Sequence, residues 1–429
     1  MSKPDEEKNS GSSGAATVSV QETNTEVKKV LPTFPDGGTR AWLVVLGVAA
    51  LNFATFGMTV SWGAFQSYYE QTLLHDYSSS TISWIGSLQF ALIFMPGVFT
   101  GRILDMGYHK LPLGLASAFY VLCTFLTAEC KEYYQFLLCQ GFGMGLACGF
   151  IFPPTLGIVS QWFHKRRATA FGITASGTSL GGIVFPILIR FLLPSLGFKW
   201  TVRVLAFIVA FALLLGFLAT KTRIPPRPIK KWFNADVIAD QGLLFYSAGS
   251  FFAFLGMYAI LTFLAVSAVV KGIDRSSAFY FVSIMNGASI VGRLSAGVLG
   301  DIFGPLNLLI PFTFIAGIVS YAWPYAHNYG GFVGISIVYG MAFGAYVGLL
   351  PSPAASLGPI ETVGERVGFQ LSFMSIAILI GSPIAGAIRA RPLGFRGTGI
   401  YAGSCIMLAV VCLVLTRRVA KKTWFRGKI

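Results

Sequence analysis

The sequence predicts an all-α membrane protein in which twelve transmembrane helices form two pseudo-symmetric halves of six. Three observations carry this reading. The 429 residues are 54% hydrophobic and only 11% charged, with a mean hydropathy of +0.68, the balance of a polytopic membrane protein. The apolar residues gather into twelve runs, each near the ~20 residues an α-helix needs to cross a bilayer. Landmarks of the first six runs return in the last six at an almost constant offset.

Taken in order, residues 1–40 are rich in Ser, Thr, Glu, Lys and Gly and have little to bury, so a disordered tail is expected. No cleavable signal peptide is visible ahead of the first run, which begins near Trp42 and would itself direct insertion. In the first half, residues 41–220, the runs fall near 42–66, 81–101, 111–128, 133–161, 168–193 and 201–220. In the second half, residues 242–418, they fall near 242–270, 277–303, 306–325, 331–350, 368–388 and 399–416. Residues 221–241 are the longest internal loop, and residues 419–429 form a basic tail.

An even number of spans puts both termini on one side, and the cations say which. Of 32 Lys and Arg residues, 22 fall in segments on the side of the termini and nine on the other, with Arg293 inside an apolar run. The net charge of +15 is therefore the positive-inside bias and implies no nucleic-acid partner. Cytoplasmic termini and a plasma-membrane location are expected, with membrane lipid as surroundings and any accessory subunit left open. The six cysteines (Cys123, Cys130, Cys139, Cys148, Cys405, Cys412) lie in or beside apolar runs without metal-site spacing. They read as small hydrophobes, and no metal or cofactor is expected.

The repeat is visible residue by residue. Gly143-Met144, Pro154 and Pro186 return 197 residues later as Gly340-Met341, Pro351 and Pro383, and Gly101 and Asp105 return 196 residues later as Gly297 and Asp301. Parallel repeats of this kind place the substrate path at their interface, near the midplane.

The fifth run is preceded by three cations, Lys165, Arg166 and Arg167, and then has no charge before Arg190. Gly172 and Ser176 stand four apart, as do Gly177 and Gly181, leaving two flanks nearly bare of side chains. In lipid such flanks let neighbouring backbones approach, so a central helix is expected. Trp162, Phe163, Lys165, Arg166, Arg167, Ala170, Gly172, Ser176, Gly177 and Gly181 together resemble the helix-5 signature of the monocarboxylate transporter family, within the major facilitator superfamily. Asp36, Gly37, Gly38 and Trp42 resemble that family's second signature, with one extra residue in the spacing, and the short loops resemble its fungal branch. The resemblance implies the major facilitator fold and transport of a small organic anion.

Gly101 and Asp105, with Gly297, Asp301 and Gly304, resemble the superfamily's loop motif Gly-x-x-x-Asp-x-x-Gly, complete only in the second copy. The resemblance implies a conformational latch in which a carboxylate meets a helix N-terminus or a basic group.

Arg293 is the one charge deep in an apolar run. Around it Ala288, Gly292, Ala296 and Gly300 form a packing strip, while Asn286, Ser289 and Arg293 share the adjacent face. An intramembrane Arg costs at least ~2.5 kcal/mol to insert and must face a partner or water. Asp and Glu fall in tails, loops or helix ends, so the expected partner is an anionic substrate whose carboxylate fits the guanidinium fork. Animal members of the resembled family carry an Asp four residues earlier, where this chain has Ser289, and a Lys in the first helix, which is absent here. Proton symport by their mechanism is thereby put in doubt. Asn52, Phe56, Trp62 and Gln89 complete the candidate binding set, an aromatic wall with few donors that suits a sizeable, mostly apolar acid. The expected function is carriage of a small organic acid across the membrane by alternating access, either monocarboxylate-like or a larger, partly apolar fungal metabolite, with export of a secondary metabolite as one form of it. Uptake of a monocarboxylate or vitamin-like nutrient, or sensing without transport, are the alternatives. An enzyme is not expected, because the sequence shows no nucleophile motif or buried acid–base cluster.

Overall fold

The computed structural model describes residues 34–223 and 239–421. The expected tail up to residue 33, residues 224–238 of the central loop and the basic tail beyond residue 421 lie outside the described residues. Among the described residues, eleven helices are long and apolar enough to cross a membrane. In chain order they begin with α1 (Thr39–Leu73), α2 (Ser80–Asp105), α3 (Lys110–Thr127) and α4 (Tyr133–Trp162). The 53-residue stretch Arg167–Ala219 follows and contains α5 (167–196) and α6 (198–219). The second half has α7 (Gln241–Val270), α8 (Tyr280–Phe303), α9 (Pro305–Tyr325), α10 (Tyr329–Ser356), α11 (Ile360–Arg389) and α12 (Gly394–Ala420).

The 53-residue stretch is two spans because a straight helix of that length would reach ~80 Å, more than twice a ~30 Å hydrocarbon core. Its two ends meet on one face: Trp162 Nε1 donates to the Lys221 carbonyl at 2.8 Å, and the Arg223 amide donates to Gln161 Oε1 at 2.8 Å. The chain therefore doubles back at Gly197, whose φ of 70° and ψ of 174° only glycine adopts readily. The sequence suggested a short loop at 194–200, whereas a single residue departs from helical geometry.

Local sequence explains the other ends and breaks. Ser78, Asp240 and Asn328 cap α2, α7 and α10, each side-chain oxygen accepting from the amide three residues on. Pro96, which has no amide hydrogen to donate, interrupts α2. α1 passes the expected end at Gln66 and closes in a π-turn, Tyr69–Leu73. α10 continues past Pro351, and its last carbonyls are satisfied by Arg366, which donates to Ala354 and Ala355 at 3.0 Å each and to Pro359 at 2.9 Å. A buried cation thus sits at a helix C-terminus, where the helix dipole favours it.

Helix pairings in the first half return in the second. α1 packs on α5 and α6 as α7 packs on α11 and α12, α2 on α4 as α8 on α10, and α3 on α6 as α9 on α12. The main crossings between the halves are α2 with α11 and α5 with α8, with α4–α11 and α5–α10 contacts beside them. Both main crossings are made by glycine. A Cβ on Gly101 would stand 2.1 Å from the Gly364 carbonyl, and one on Gly172 2.4 Å from the Arg293 carbonyl. The other bare flank of α5 faces α1, where a Cβ on Gly177 would stand 2.1 Å from the Ala49 carbonyl and one on Gly181 2.6 Å from Gly57 Cα.

Candidate functional site

The two sequence signatures are one structure. Asp36, at φ 49°, turns its carboxylate to the loop before α5 and accepts from the amides of His164 (2.6 Å), Lys165 (2.6 Å) and Arg166 (3.4 Å). Trp42 lies against Phe163, ring centroids 4.9 Å apart. The Lys165 and Arg166 side chains are exposed, while Arg167 is buried and donates to the Phe163 carbonyl at 3.1 Å.

On the same cation-rich face the two loop-motif carboxylates cross between halves. Asp301, at the end of α8, accepts from the amides of Ala168 and Thr169 at 2.9 Å each and from the Thr169 hydroxyl at 2.5 Å, capping α5. Asp105, at the end of α2, accepts from the amides of Gly364 (3.1 Å) and Glu365 (2.9 Å) early in α11. Gly101 lies in the α2–α11 crossing, Gly297 lies under the Ala168 backbone, and Gly304 turns the chain into α9 at φ 96°. Each half thus caps a helix of the other, in the same relation twice. Beside Asp105, Arg102 and Glu365 form an ion pair at 2.9 Å with side chains only 9% and 1% exposed. The sequence leads one to expect acidic residues only in tails, loops or helix ends, none of them buried, and Glu365 corrects that expectation. Its place near a helix end hid its burial, which comes from α2 packing across it. His109, between α2 and α3, is also enclosed, and burial together with Lys110 pushes its imidazole down to about 4.

Arg293 is 3% exposed and lies between the halves. One guanidinium nitrogen, Nη1, donates to the Ala175 carbonyl of α5, and Nε has no hydrogen-bond partner among the described residues. It lines a cavity of about 70 Å³ with Asn52 and Phe56 of α1, Phe94 of α2, Phe152 of α4, Thr174 of α5, Tyr258 of α7 and Phe343 of α10. No carboxylate lines this cavity among the described residues. Asn52 donates to the Thr174 carbonyl at 2.9 Å, while its Oδ1 is buried without a partner among the described residues. Phe56, Phe94 and Phe152 meet edge-to-face with centroids 4.8–5.7 Å apart, an arrangement that stabilises aromatic clusters. The cavity therefore combines one cation, one amide and aromatic walls in its lining. At ~30 Å³ per water it is contracted in this conformation, with room for two or three.

The other candidate residues fall elsewhere. Ser289 is buried with its hydroxyl 2.7 Å from that of Ser179 on α5, and Asn286 flanks Gly182, so both belong to the α5–α8 crossing. Gln89 is buried against Thr59, to which it donates at 3.2 Å. Trp62 donates to Gln66 Oε1 at 2.8 Å and lines a separate vestibule of about 500 Å³ at the face opposite the latches, between the ends of α1, α2, α7 and α11. Tyr258 lines both spaces. Sequence reasoning passed over Tyr258, Phe254 and Phe343 because aromatics in apolar runs are so often packing. A phenol hydroxyl on a helix otherwise apolar at that level was the one available signal.

Residues 50–359 match the family model of the Major Facilitator Superfamily. The chain is 33% identical over 380 residues to the aspyridones efflux protein apdF of Emericella nidulans, covering 88% of this chain and 78% of that protein. It is 35% identical over 380 residues to the agnestins efflux protein AgnL12 of Paecilomyces divaricatus, covering 88% and 87%. Among solved structures, the human organic anion transporter MFSD10 (TETRAN) superposes with a TM-score of 0.71 at 14% identity, covering 88% of this chain and 100% of that one. That likeness is one of fold.

Proposed function

The chain belongs to the major facilitator superfamily, and from that premise we propose that it exports a fungal secondary metabolite, an organic acid with a sizeable apolar body, by alternating access. As a multi-pass membrane transporter it acts on a small molecule. The cation-rich, latched face is assigned to the cytoplasm, with both termini there, and the membrane to the plasma membrane. The resemblance to monocarboxylate porters supports an anionic substrate, and the efflux names of the fungal relatives support export.

The observation that carries the reading is the buried Arg293, which lines a cavity together with Asn52, while its Nε and the Asn52 Oδ1 have no hydrogen-bond partner among the described residues. A carboxylate or enolate meeting the guanidinium, with a hydroxyl or amide N–H on Asn52, would satisfy both groups while the rest of the molecule lies among Phe rings. The acid enters from the cytoplasm when Asp105 and Asp301 release their helices. Re-forming the latches closes that route, and the acid leaves through the vestibule. Because no carboxylate lines the cavity, the pH dependence of transport follows the ionisation of the substrate.

Comparing metabolites in the medium and in cells, with and without the gene, identifies the acid. Its flux in proteoliposomes then tests the site. Arg293→Ala should abolish transport while leaving protein in the membrane, and Arg293→Lys should recover part, since a point ammonium cannot copy a planar fork. Wild-type flux in Arg293→Ala would overturn the assignment.

A further inference from the structure

The Arg293 cavity, at about 70 Å³, is smaller in this conformation than the acid proposed above, whereas the vestibule, at about 500 Å³, lies within the ~300–1,000 Å³ of ordinary ligand sites. We propose that the vestibule is a second, outer binding station for an organic anion with an aromatic or conjugated body, and that Arg389 receives its charge. The proposal rests on the carrier reading above and adds a site to it.

Charge is the first argument. Arg389, at the end of α11, is the only charged residue lining the vestibule among the described residues. Its guanidinium lies over the rings of Phe263 and Phe395, 5.1 and 5.7 Å from their centroids, and among the described residues it pairs with no carboxylate. Stacking fixes the plane of the fork and leaves its N–H edges for an incoming anion.

The walls are the second argument. Trp62, Trp84, Phe90 and Phe263 all line the vestibule, and Trp84 is 50% exposed. The indole of Trp62 is held by Gln66 and by the backbone at Gly86, where a Cβ would stand 2.5 Å from the ring, so this wall is fixed in place. Broad aromatic surface beside one cation is the chemistry that holds an aromatic anion in a wet cleft, its charge on the guanidinium and its body against rings.

The path is the third. Tyr258 borders both the inner cavity and the vestibule floor, so an anion leaving Arg293 passes directly into the outer space. Arg389 stands eleven residues beyond Ile378, the innermost α11 residue of the vestibule, or ~16 Å along the helix. Release then occurs in two steps. The anion exchanges a dry cation for a solvated one before reaching water, and product accumulating outside occupies the outer station and slows export.

The test is equilibrium binding of radiolabelled 1-naphthoate to the full chain in lipid nanodiscs, with uncharged 1-naphthamide as competitor. In an Arg293→Ala background the outer station should still bind naphthoate. Adding Arg389→Gln should weaken that remaining binding at least ten-fold, Arg389→Lys should restore part of it, and naphthamide should not compete. The proposal is overturned if Arg293→Ala alone binds nothing, if the double variant binds as well as Arg293→Ala, or if naphthamide competes as well as naphthoate. Arg389→Gln with Arg293 intact reports the inner site by itself, so a failure there counts against the Arg293 assignment and leaves the outer station to its own result.

Discussion

Asp36 and Asp301 hold successive stretches of one backbone: Asp36 accepts from the amides of residues 164–166, and Asp301 from those of residues 168 and 169. The first carboxylate belongs to the same half as the backbone it grips and the second to the other half. The two contacts are alike in chemistry and opposite in consequence. Asp36 fixes the entry of α5, while Asp301 decides which partner that helix keeps.

Removing each should therefore give a different result. Asp301→Ala deletes a helix cap of about 1 kcal/mol, enough to shift the population of the latched conformation about five-fold. A reporter cysteine at Leu350, buried beside the Arg293 cavity, should then react faster with a membrane-impermeant thiol reagent applied from the latched face, in a background free of the native cysteines. Asp36→Ala should lower thermal stability and leave that reactivity near wild type. Equal reactivity in the two variants would refute the division of labour.

The buried pair Arg102–Glu365 should behave as a unit. Removing one charge takes from the other its buried ion-pair partner, at a cost of ~3–5 kcal/mol to the latched state, whereas replacing both with neutral residues of similar volume costs much less. A thermal-stability double-mutant cycle with Arg102→Met and Glu365→Gln should show the double variant more stable than the sum of the singles implies. Additive losses would mean the two side chains do not depend on each other.

The glycine crossings predict a graded response to a single methyl. Gly177→Ala drives a Cβ into the Ala49 carbonyl and should reduce the yield of monodisperse protein, an overpacking cost of about 1–3 kcal/mol. Gly172→Ala disturbs the α5–α8 crossing and should impair flux more than yield. Gly287→Ala, with nothing within 4 Å of the added carbon, is the neutral control. Fluorescence-detected size exclusion and flux assays read all three.

His109 predicts an acid limb of stability. With its folded pKa lowered to about 4 from an ordinary 6.5, the neutral form is favoured in the fold. Its contribution is complete above pH 6.5 and is lost as the pH falls from there through 4. Melting curves across that window should fall for the wild type and flatten for His109→Gln. Parallel curves would show that protonation of His109 is not coupled to folding.

The spans were legible because a bilayer demands some twenty apolar residues in succession, and Arg293 was legible because a charge in such a run stands alone. Helix ends were harder to read. α11 starts at Ile360 rather than near residue 368 because Glu365 and Arg366 look like loop residues until Arg102 and the α10 carbonyls are seen to satisfy them. The polar face of α8 was visible in sequence, but not that Ser289 would meet Ser179 instead of the cavity. Ser179 lies 110 positions from Ser289 and Arg102 lies 263 from Glu365, and no local pattern encodes such partners.

The reversal at Gly197 has a mechanical consequence. Most neighbouring spans are joined by connections that can absorb a change in tilt, but α5 and α6 share a one-residue link with no slack, so they swing together like the tines of a fork. One tine is gripped at its base by Asp301. The other is tethered at its base to the end of α4 through Lys221 and Arg223. A displacement of the gripped tine reaches α4, and with it the Phe152 wall of the Arg293 cavity, without passing through the cavity itself.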